Sequence, residues 1–292
     1  MNSEISERIV NEAYQKNLKR KPDEVGFKHF TSLLQQDQLT EEELIKIIRN
    51  SDEYARRKEA DEQSKKNKTY IFKGFDDILY EIHSESSIDY QIAKNGIYDR
   101  YVGDKLKEHI KSDGTILDIG ANVGGLSLPF AKKYVPLGKV YAFEPNMNVI
   151  NQLKKNIEIN GLKNIIIVPV ALQENPSIQE INFNIRQQNE EGRINNGIST
   201  IQENPFFNLK KQNVKCTTVD KFVDDEKIQK IEFIKIDVEG SEYRVLEGAS
   251  NTIQRDLPIV VYEFSNIIDN MINFPNSKKN KYGDGLTVLR AR

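Results

Sequence analysis

The chain has 292 residues, 29% of them charged, and a net charge of −2 at pH 7, a length that accommodates one large α/β domain and a small second unit. A mean hydropathy of −0.61, apolar runs no longer than Ile165–Val168 or Pro258–Tyr262, and a polar start from Met1 to Arg8 predict no membrane span and no secretory signal, hence a cytoplasmic protein. Dispersed lysines and arginines argue against a nucleic-acid surface, and the lone Cys216 with His29, His83 and His109 gives no disulfide and no metal site, which leaves small molecules or carbohydrates as substrates.

From Ile5 to Tyr54 apolar residues recur at helical spacing: Ile5, Ile9, Ala13 and Tyr14, then Phe27, Phe30, Leu33 and Leu34, then Leu44, Ile47 and Ile48. Three short helices are expected. Pro22-Asp23-Glu24 opens the second and the capping box Thr40-Glu41-Glu42-Glu43 opens the third. The run Tyr14, Arg20-Lys-Pro-Asp23, Gly26-Phe27, Phe30, Leu33-Leu34 and Ser51-Asp52-Glu53-Tyr54 resembles a short helical domain of unknown function related to phycobilisome linker repeats and often found beside enzymes of surface-polysaccharide synthesis. The chain departs from that family at Phe30, where tryptophan is common. The resemblance implies no catalysis and suggests docking to glycan-synthesis enzymes through residues 1–60; a bundle that only stabilises the enzyme is the alternative. Glu59 to Lys68 has almost nothing to bury and reads as a linker or a solvated helix end. A helical module over 1–60 and a linker over 61–69 are therefore expected.

Over residues 70–264 strands alternate with helices. Ile116–Ile119, Lys139–Phe143, Ile165–Val170, Phe233–Ile236 and Ile259–Phe264 read as buried strands; Gly125–Tyr134, Met147–Asn160 and Ser241–Thr252 read as helices. Repeated β-α-β order predicts an α/β fold, a doubly wound and mostly parallel sheet that binds its ligand at the carboxyl ends of the strands.

The phrase Thr115-Ile-Leu-Asp118-Ile-Gly120-Ala-Asn122-Val-Gly124-Gly125 leaves a strand, turns on glycines and enters a helix. Such a turn lets backbone approach a ligand, and the helix start offers free N–H groups. Asn122 stands where a dinucleotide fingerprint needs glycine. Asp118 places a carboxylate where pyrophosphate is repelled and an ammonium or sulfonium attracted. The sign favours S-adenosylmethionine over NAD. The second strand ends Phe143-Glu144-Pro145, and a carboxylate there can accept both ribose hydroxyl protons; a surface glutamate before a turn proline is the bland alternative.

Asp118-Ile-Gly-Ala-Asn-Val-Gly124, Phe143-Glu-Pro145, Ile234-Lys-Ile-Asp237-Val-Glu-Gly240-Ser-Glu242 and Val245-Leu-Glu-Gly-Ala249 together resemble the FkbM family of methyltransferases, in the family's order, over Ile97 to Glu263. The resemblance implies a class I, Rossmann-like methyltransferase fold, S-adenosylmethionine as donor, and mostly O-methylation of sugars or sugar-containing metabolites. It carries Asp118, Gly120 and Asn122 onto the methionine-side loop, Glu144 onto the ribose and Ala171 near the adenine, with Gly124 completing the turn.

Off the fourth strand, alternation puts Lys235 and Asp237 on one side, with Glu239 just beyond at the turn of Gly240. Methyl transfer is an in-line displacement that needs alignment and a base for a hydroxyl proton. Asp237 is the expected base or orienting group, with Lys235 and Glu239 beside it as further catalytic candidates, and Glu242 and Glu263 as acceptor-pocket candidates. An ion-pair network that merely holds strand to helix is the alternative for Lys235 and Glu242. No ligand spacing requires a metal, so metal independence is expected. Phe183, Arg186, Arg193, Phe206 and Phe207 lie in a long insertion suited to a sugar-binding lid. The stretch 265–292 reads as an irregular or truncated tail, too short for the helix and hairpin that complete a class I sheet, so the sheet is expected to lack its last two strands. A catalytically silent cofactor- or glycan-binding protein and an NAD or nucleotide-sugar enzyme remain the competing classes.

Overall fold

The computed structural model describes residues 2–66, 68–98, 110–178, 180–185, 210–263, 277–282 and 286–291. The chain opens with α1 (Ser3–Leu18), α2 (Glu24–Gln35) and α3 (Glu41–Arg49), whose apolar stripes bury Val10, Ala13, Tyr14, Leu18, Leu34, Leu44 and Ile48 together. Asn2, Asp23 and Thr40 cap these helices through their side chains, and Thr40 with Glu43 forms the expected capping box.

A fourth helix, α4 (Asp52–Lys66), stands where the sequence reading placed a linker. It carries charge all round, so hydrophobic periodicity is silent about it. A few contacts seat it. Ala60 is buried against Phe72, Ile78 and Tyr80, Arg57 donates to the Leu18 carbonyl, and the Tyr90 hydroxyl donates to Asp61 at 2.6 Å. Within the expected linker, residues 61–66 are thus the end of α4 and Thr69 opens a strand.

An antiparallel hairpin follows, β1 (Thr69–Lys73) with β2 (Leu79–His83), then α5 (Ser87–Asn95). The central elements are β3 (Thr115–Ile119), α6 (Ser127–Pro129) continuing as one wider helical turn over Phe130–Tyr134, β4 (Lys139–Phe143), α7 (Met147–Ile159) and β5 (Ile165–Val168). Next come β6 (Ala171–Leu172), β7 (Glu180–Ile185) and β8 (Lys210–Thr217), which form a separate three-stranded sheet in the order β6-β8-β7. The chain continues through α8 (Val219–Asp225), β9 (Phe233–Ile236), α9 (Glu242–Glu247), α10 (Ser250–Asp256), β10 (Ile259–Glu263), β11 (Ser277–Tyr282) and β12 (Leu286–Ala291).

The main sheet has the order β11-β12-β10-β9-β3-β4-β5. Its five strands from β10 to β5 run parallel, and β12 pairs antiparallel with both β10 and β11. The tail reading is thereby corrected: residues 265–292 contribute the hairpin that completes the sheet. Ser-Lys-Lys-Asn-Lys-Tyr in β11 has the lysine-rich composition that guards a sheet edge, and that polarity made it read as irregular.

Strand alternation divides the core. Leu117, Ile119, Ile234, Ile236, Val260 and Tyr262 face Val219, Val223, Val245, Leu246 and Ile253 of α8, α9 and α10. Ile116, Val140, Phe233 and Val261 face Leu126, Phe130 and Ala131 around α6. Helices therefore cover both faces, as a parallel sheet requires. The helix expected over Ser241–Thr252 is interrupted at Gly248 and Ala249, and Gly248 admits the Gln173 carbonyl, whose oxygen would stand 2.2 Å from a Cβ there.

Candidate active site

The parallel register of β3 and β9 sets Asp118 directly beside Lys235 on the face where Ile116 pairs with Phe233. Both strands end one residue later, so an apolar stripe finishes in a cross-strand ion pair. Asp118 is fully buried and Lys235 is 6% exposed. The Lys235 ammonium lies 3.4 Å from Asp118 Oδ1 and 3.6 Å from Asp237 Oδ2, and it donates to the Gly120 carbonyl at 2.8 Å. The other Asp118 oxygen accepts from the Ser127 hydroxyl at 2.5 Å. Burial alone would lower the Lys235 pKa, but the Asp118 and Asp237 carboxylates outweigh it and hold the ammonium above the usual lysine range. A buried pair of this kind is costly to half-remove, roughly 3–5 kcal/mol, because the remaining charge is left unpaired.

Glu144 leaves the end of β4 and is 6% exposed. One carboxylate oxygen accepts from the Asn146 N–H at 2.8 Å and the other from the Asn122 N–H at 3.0 Å. Burial pushes its pKa up to about 7 despite these two backbone donors. The turn it grips is held in left-handed geometry, with φ of +79° at Gly120, +50° at Asn122 and +89° at Gly124. A Cβ on Gly120 would stand 1.9 Å from the Asp237 carbonyl oxygen. This glycine is thus required where the two strand-end loops touch, a reason the sequence reading did not contain.

The structure brings Asp118, Gly120, Asn122, Glu144, Lys235 and Asp237 together across three adjacent strand ends. Asp237 keeps a side-chain exposure of 31%, the outward member of the group. Glu239 sits at φ +54° on the β9–α9 turn. Glu242, expected at the acceptor pocket, is buried and accepts from the Val238 and Gly240 N–H groups at 3.0 and 3.2 Å; it ties the turn, and burial raises its pKa. Ala171 packs its methyl with Val214 and Cys216 in the small sheet. Asp118, expected to face a positively charged cofactor, makes its contacts inward to Ser127 and Lys235. Ser127 was missed, since a lone serine at the start of a short helix carries no sequence signal for a buried carboxylate partner. Arg186, Arg193, Phe206 and Phe207 lie outside the described residues, as do the side chains of Phe183 and Glu263. Among the described residues no three His, Cys, Asp or Glu side chains converge on a metal-sized site, and no helix is long and apolar enough to cross a membrane.

Residues 118–282 match the family model for the methyltransferase FkbM domain, more than half of the chain. The chain belongs to the FkbM methyltransferase family. With the family come the class I fold and S-adenosylmethionine as methyl donor. Among curated relatives, Methyltransferase 1 of Beauveria bassiana is 22% identical over 190 residues, 62% of this chain and 72% of its own. Hexuronic acid methyltransferase AglP of Haloferax volcanii is 26% identical over 153 residues, 51% of this chain and 55% of its own. The solved FkbM methyltransferase of Methylobacillus flagellatus KT aligns over 97% of this chain and 60% of its own, with a TM-score of 0.44 and 17% identity. The chain thus spans little more than half the length of AglP and of that solved structure.

Proposed function

We propose that this protein transfers a methyl group from S-adenosylmethionine to a hydroxyl of a sugar or glycan-related acceptor. The observation that carries the reading is the Lys235 ammonium, shared between Asp118 at the end of β3 and the partly exposed Asp237. It fixes the Asp237 carboxyl group at the rim of the cofactor turn, open to an acceptor hydroxyl.

The residues fit the cofactor. Glu144 still has lone pairs to accept ribose hydroxyls, and the neighbouring Asn146, whose side-chain oxygen accepts from the Asn148 N–H, is fully buried with its Nδ2 left without a hydrogen-bond partner among the described residues, a donor in want of an acceptor. When bound, S-adenosylmethionine supplies a sulfonium methyl for in-line displacement. Asp237 orients the acceptor hydroxyl and takes its proton as the oxygen attacks; Lys235 pairs with that carboxylate and fixes the turn through the Gly120 carbonyl. Glu239, on the same turn, borders the acceptor, and the step needs no metal. The hexuronic acid specificity named for AglP favours a carbohydrate acceptor. Residues 1–60 serve as a docking module towards enzymes of glycan synthesis.

The test is transfer of labelled methyl across a panel of free sugars, sugar nucleotides and glycans, with amine acceptors included. Label on a sugar oxygen is expected. Label on nitrogen only, or S-adenosylhomocysteine binding without any turnover, overturns the reading. On a confirmed acceptor, Asp237→Asn is expected to keep cofactor affinity and lower turnover by roughly 10²-fold; near-normal turnover makes the carboxylate structural.

A further inference from the structure

Three amides, Gln152 and Asn156 of α7 and Asn160 at its C-terminal cap, stand four residues apart and so share one face of the helix. That face meets the edge of β2. Asn160 pairs with both backbone groups of Leu79, at 2.9 and 2.7 Å, and Gln152 donates to the Glu81 carbonyl at 2.7 Å. The amides thereby do for the strand what a neighbouring strand would do.

Asn156 differs from its neighbours in the ladder. It is fully buried. Its oxygen accepts from the Glu81 N–H at 2.7 Å, and its amide nitrogen donates to the Val123 carbonyl at 2.8 Å. Val123 lies between Asn122 and Gly124, two of the three left-handed residues of the cofactor turn, and Glu144 holds the Asn122 N–H from the other side. The turn is therefore gripped at two peptide groups, 121–122 and 123–124, by one side chain from the end of β4 and one from α7. Beneath it, Val123 and Leu128 share a core cluster with Ile78, Tyr80 and Ile82 of the hairpin segment, and the Tyr80 hydroxyl reaches the Gly125 carbonyl at 3.5 Å.

We infer that Asn156 is a positioning residue for the cofactor, acting through the Val123 carbonyl, and that the β1–β2 hairpin is the outer wall of the cofactor site. This rests on the reading that the Gly120–Gly124 turn holds S-adenosylmethionine. Removing the amide frees the Val123 peptide to rotate, leaves a buried carbonyl and a buried N–H unpaired, and lets the left-handed turn relax. Affinity falls because the turn must then be ordered by the ligand itself.

Asn160 supplies a matched control, since it makes the same kind of clamp on β2 and does not touch the turn. Asn156→Ala, Asn160→Ala and the wild type are compared by calorimetric titration with S-adenosylhomocysteine and by thermal melting. Both variants are expected to melt earlier. Only Asn156→Ala is expected to bind more weakly, by roughly tenfold, the worth of a buried hydrogen bond; Asn160→Ala stays within a factor of about two. Unchanged affinity in Asn156→Ala, or equal weakening in both, overturns the inference. Should Asn156→Ala fail to fold, hydrogen exchange on the wild type decides. Saturation with S-adenosylhomocysteine is expected to slow the Glu81 amide, bonded to Asn156, more than the Leu79 amide, bonded to Asn160; equal or no slowing overturns the inference. Wild type that binds no S-adenosylhomocysteine defeats the cofactor reading itself, and is thereby distinguishable from a failure confined to Asn156.

Discussion

The Glu144 carboxyl keeps its proton to about pH 7 because burial outweighs the Asn146 and Asn122 N–H groups and the nearby Lys235 charge. In the unfolded chain the same group titrates near 4.5, so between those values the native state binds more protons and this group's contribution to stability falls as pH rises. Ribose hydroxyls reverse the preference, since they donate to the ionised form. S-adenosylhomocysteine is therefore expected to bind roughly tenfold more tightly at pH 8 than at pH 6, the change in ionised fraction for a group of that pKa. Titration calorimetry across that range checks it, and Glu144→Gln should bind weakly with a flat profile; a flat profile in the wild type removes Glu144 from the ribose. The position of this carboxylate was legible because a strand end followed by proline leaves few places for it to go. Its degree of burial was not, because that depends on how the Asn122 turn folds over it. Asp118 shows the same limit. Its strand-end place could be read, but its contacts depend on Lys235 and Ser127, which the chain brings to it from β9 and α6.

Elements were legible where one face is apolar and hidden where polar groups do the holding. Alternation in β3, β4 and β9 and the stripes of α1 to α3 gave those elements their places. The amide ladder of α7 gave no such sign, since Gln152, Asn156 and Asn160 read as a solvated face until β2 is set against them. The break between α9 and α10 is little better marked. Gly248 is the one stop signal there, and the Gln173 carbonyl lies too close to admit a Cβ at that position. Because Ala249 offers no side chain to cap α10, Asp220 of α8 does so from outside, accepting from Asn251 N–H at 3.0 Å and Thr252 N–H at 2.8 Å. A carboxylate on two free N–H groups at a helix start also suits the helix dipole. Asp220→Ala is expected to cost about 1–2 kcal/mol of stability in denaturant titration while leaving S-adenosylhomocysteine affinity unchanged. Loss smaller than about 0.5 kcal/mol would mean that water caps the helix equally well.

At the scale of the whole molecule, β-α-β order sufficed for the parallel sheet. It left open whether residues 59–68 are a linker or a helix end and missed the C-terminal hairpin for one reason, namely that α4 and β11 are rich in charge and contribute to the fold through a few contacts or backbone pairing. The consequence for α4 is specific. Its early turns belong to the helical bundle, through Arg57 on the Leu18 carbonyl and the Arg20–Glu53 pair at 2.7 Å. Its later turns belong to the sheet domain, through Ala60 among Phe72, Ile78 and Tyr80, and Asp61 under the Tyr90 hydroxyl. Arg56 lies over the Phe75 ring at 4.4 Å and joins the same side. A chain beginning at Asn67 therefore exposes the cluster that supports the cofactor turn, whereas one beginning at Ser51 removes only α1 to α3. The second is expected to fold and to bind S-adenosylhomocysteine within about twofold of the full chain, since the lost helices have no contact with the turn. The first is expected to melt several degrees lower, consistent with the loss of about 2 kcal/mol or more of buried contacts, and to bind more weakly. Melting curves and titrations on the two shortened chains and the full one check both statements. Equal stability in all three would restore residues 61–69 as a passive joint, and loss of binding in the chain beginning at Ser51 would make the helical bundle part of the active site.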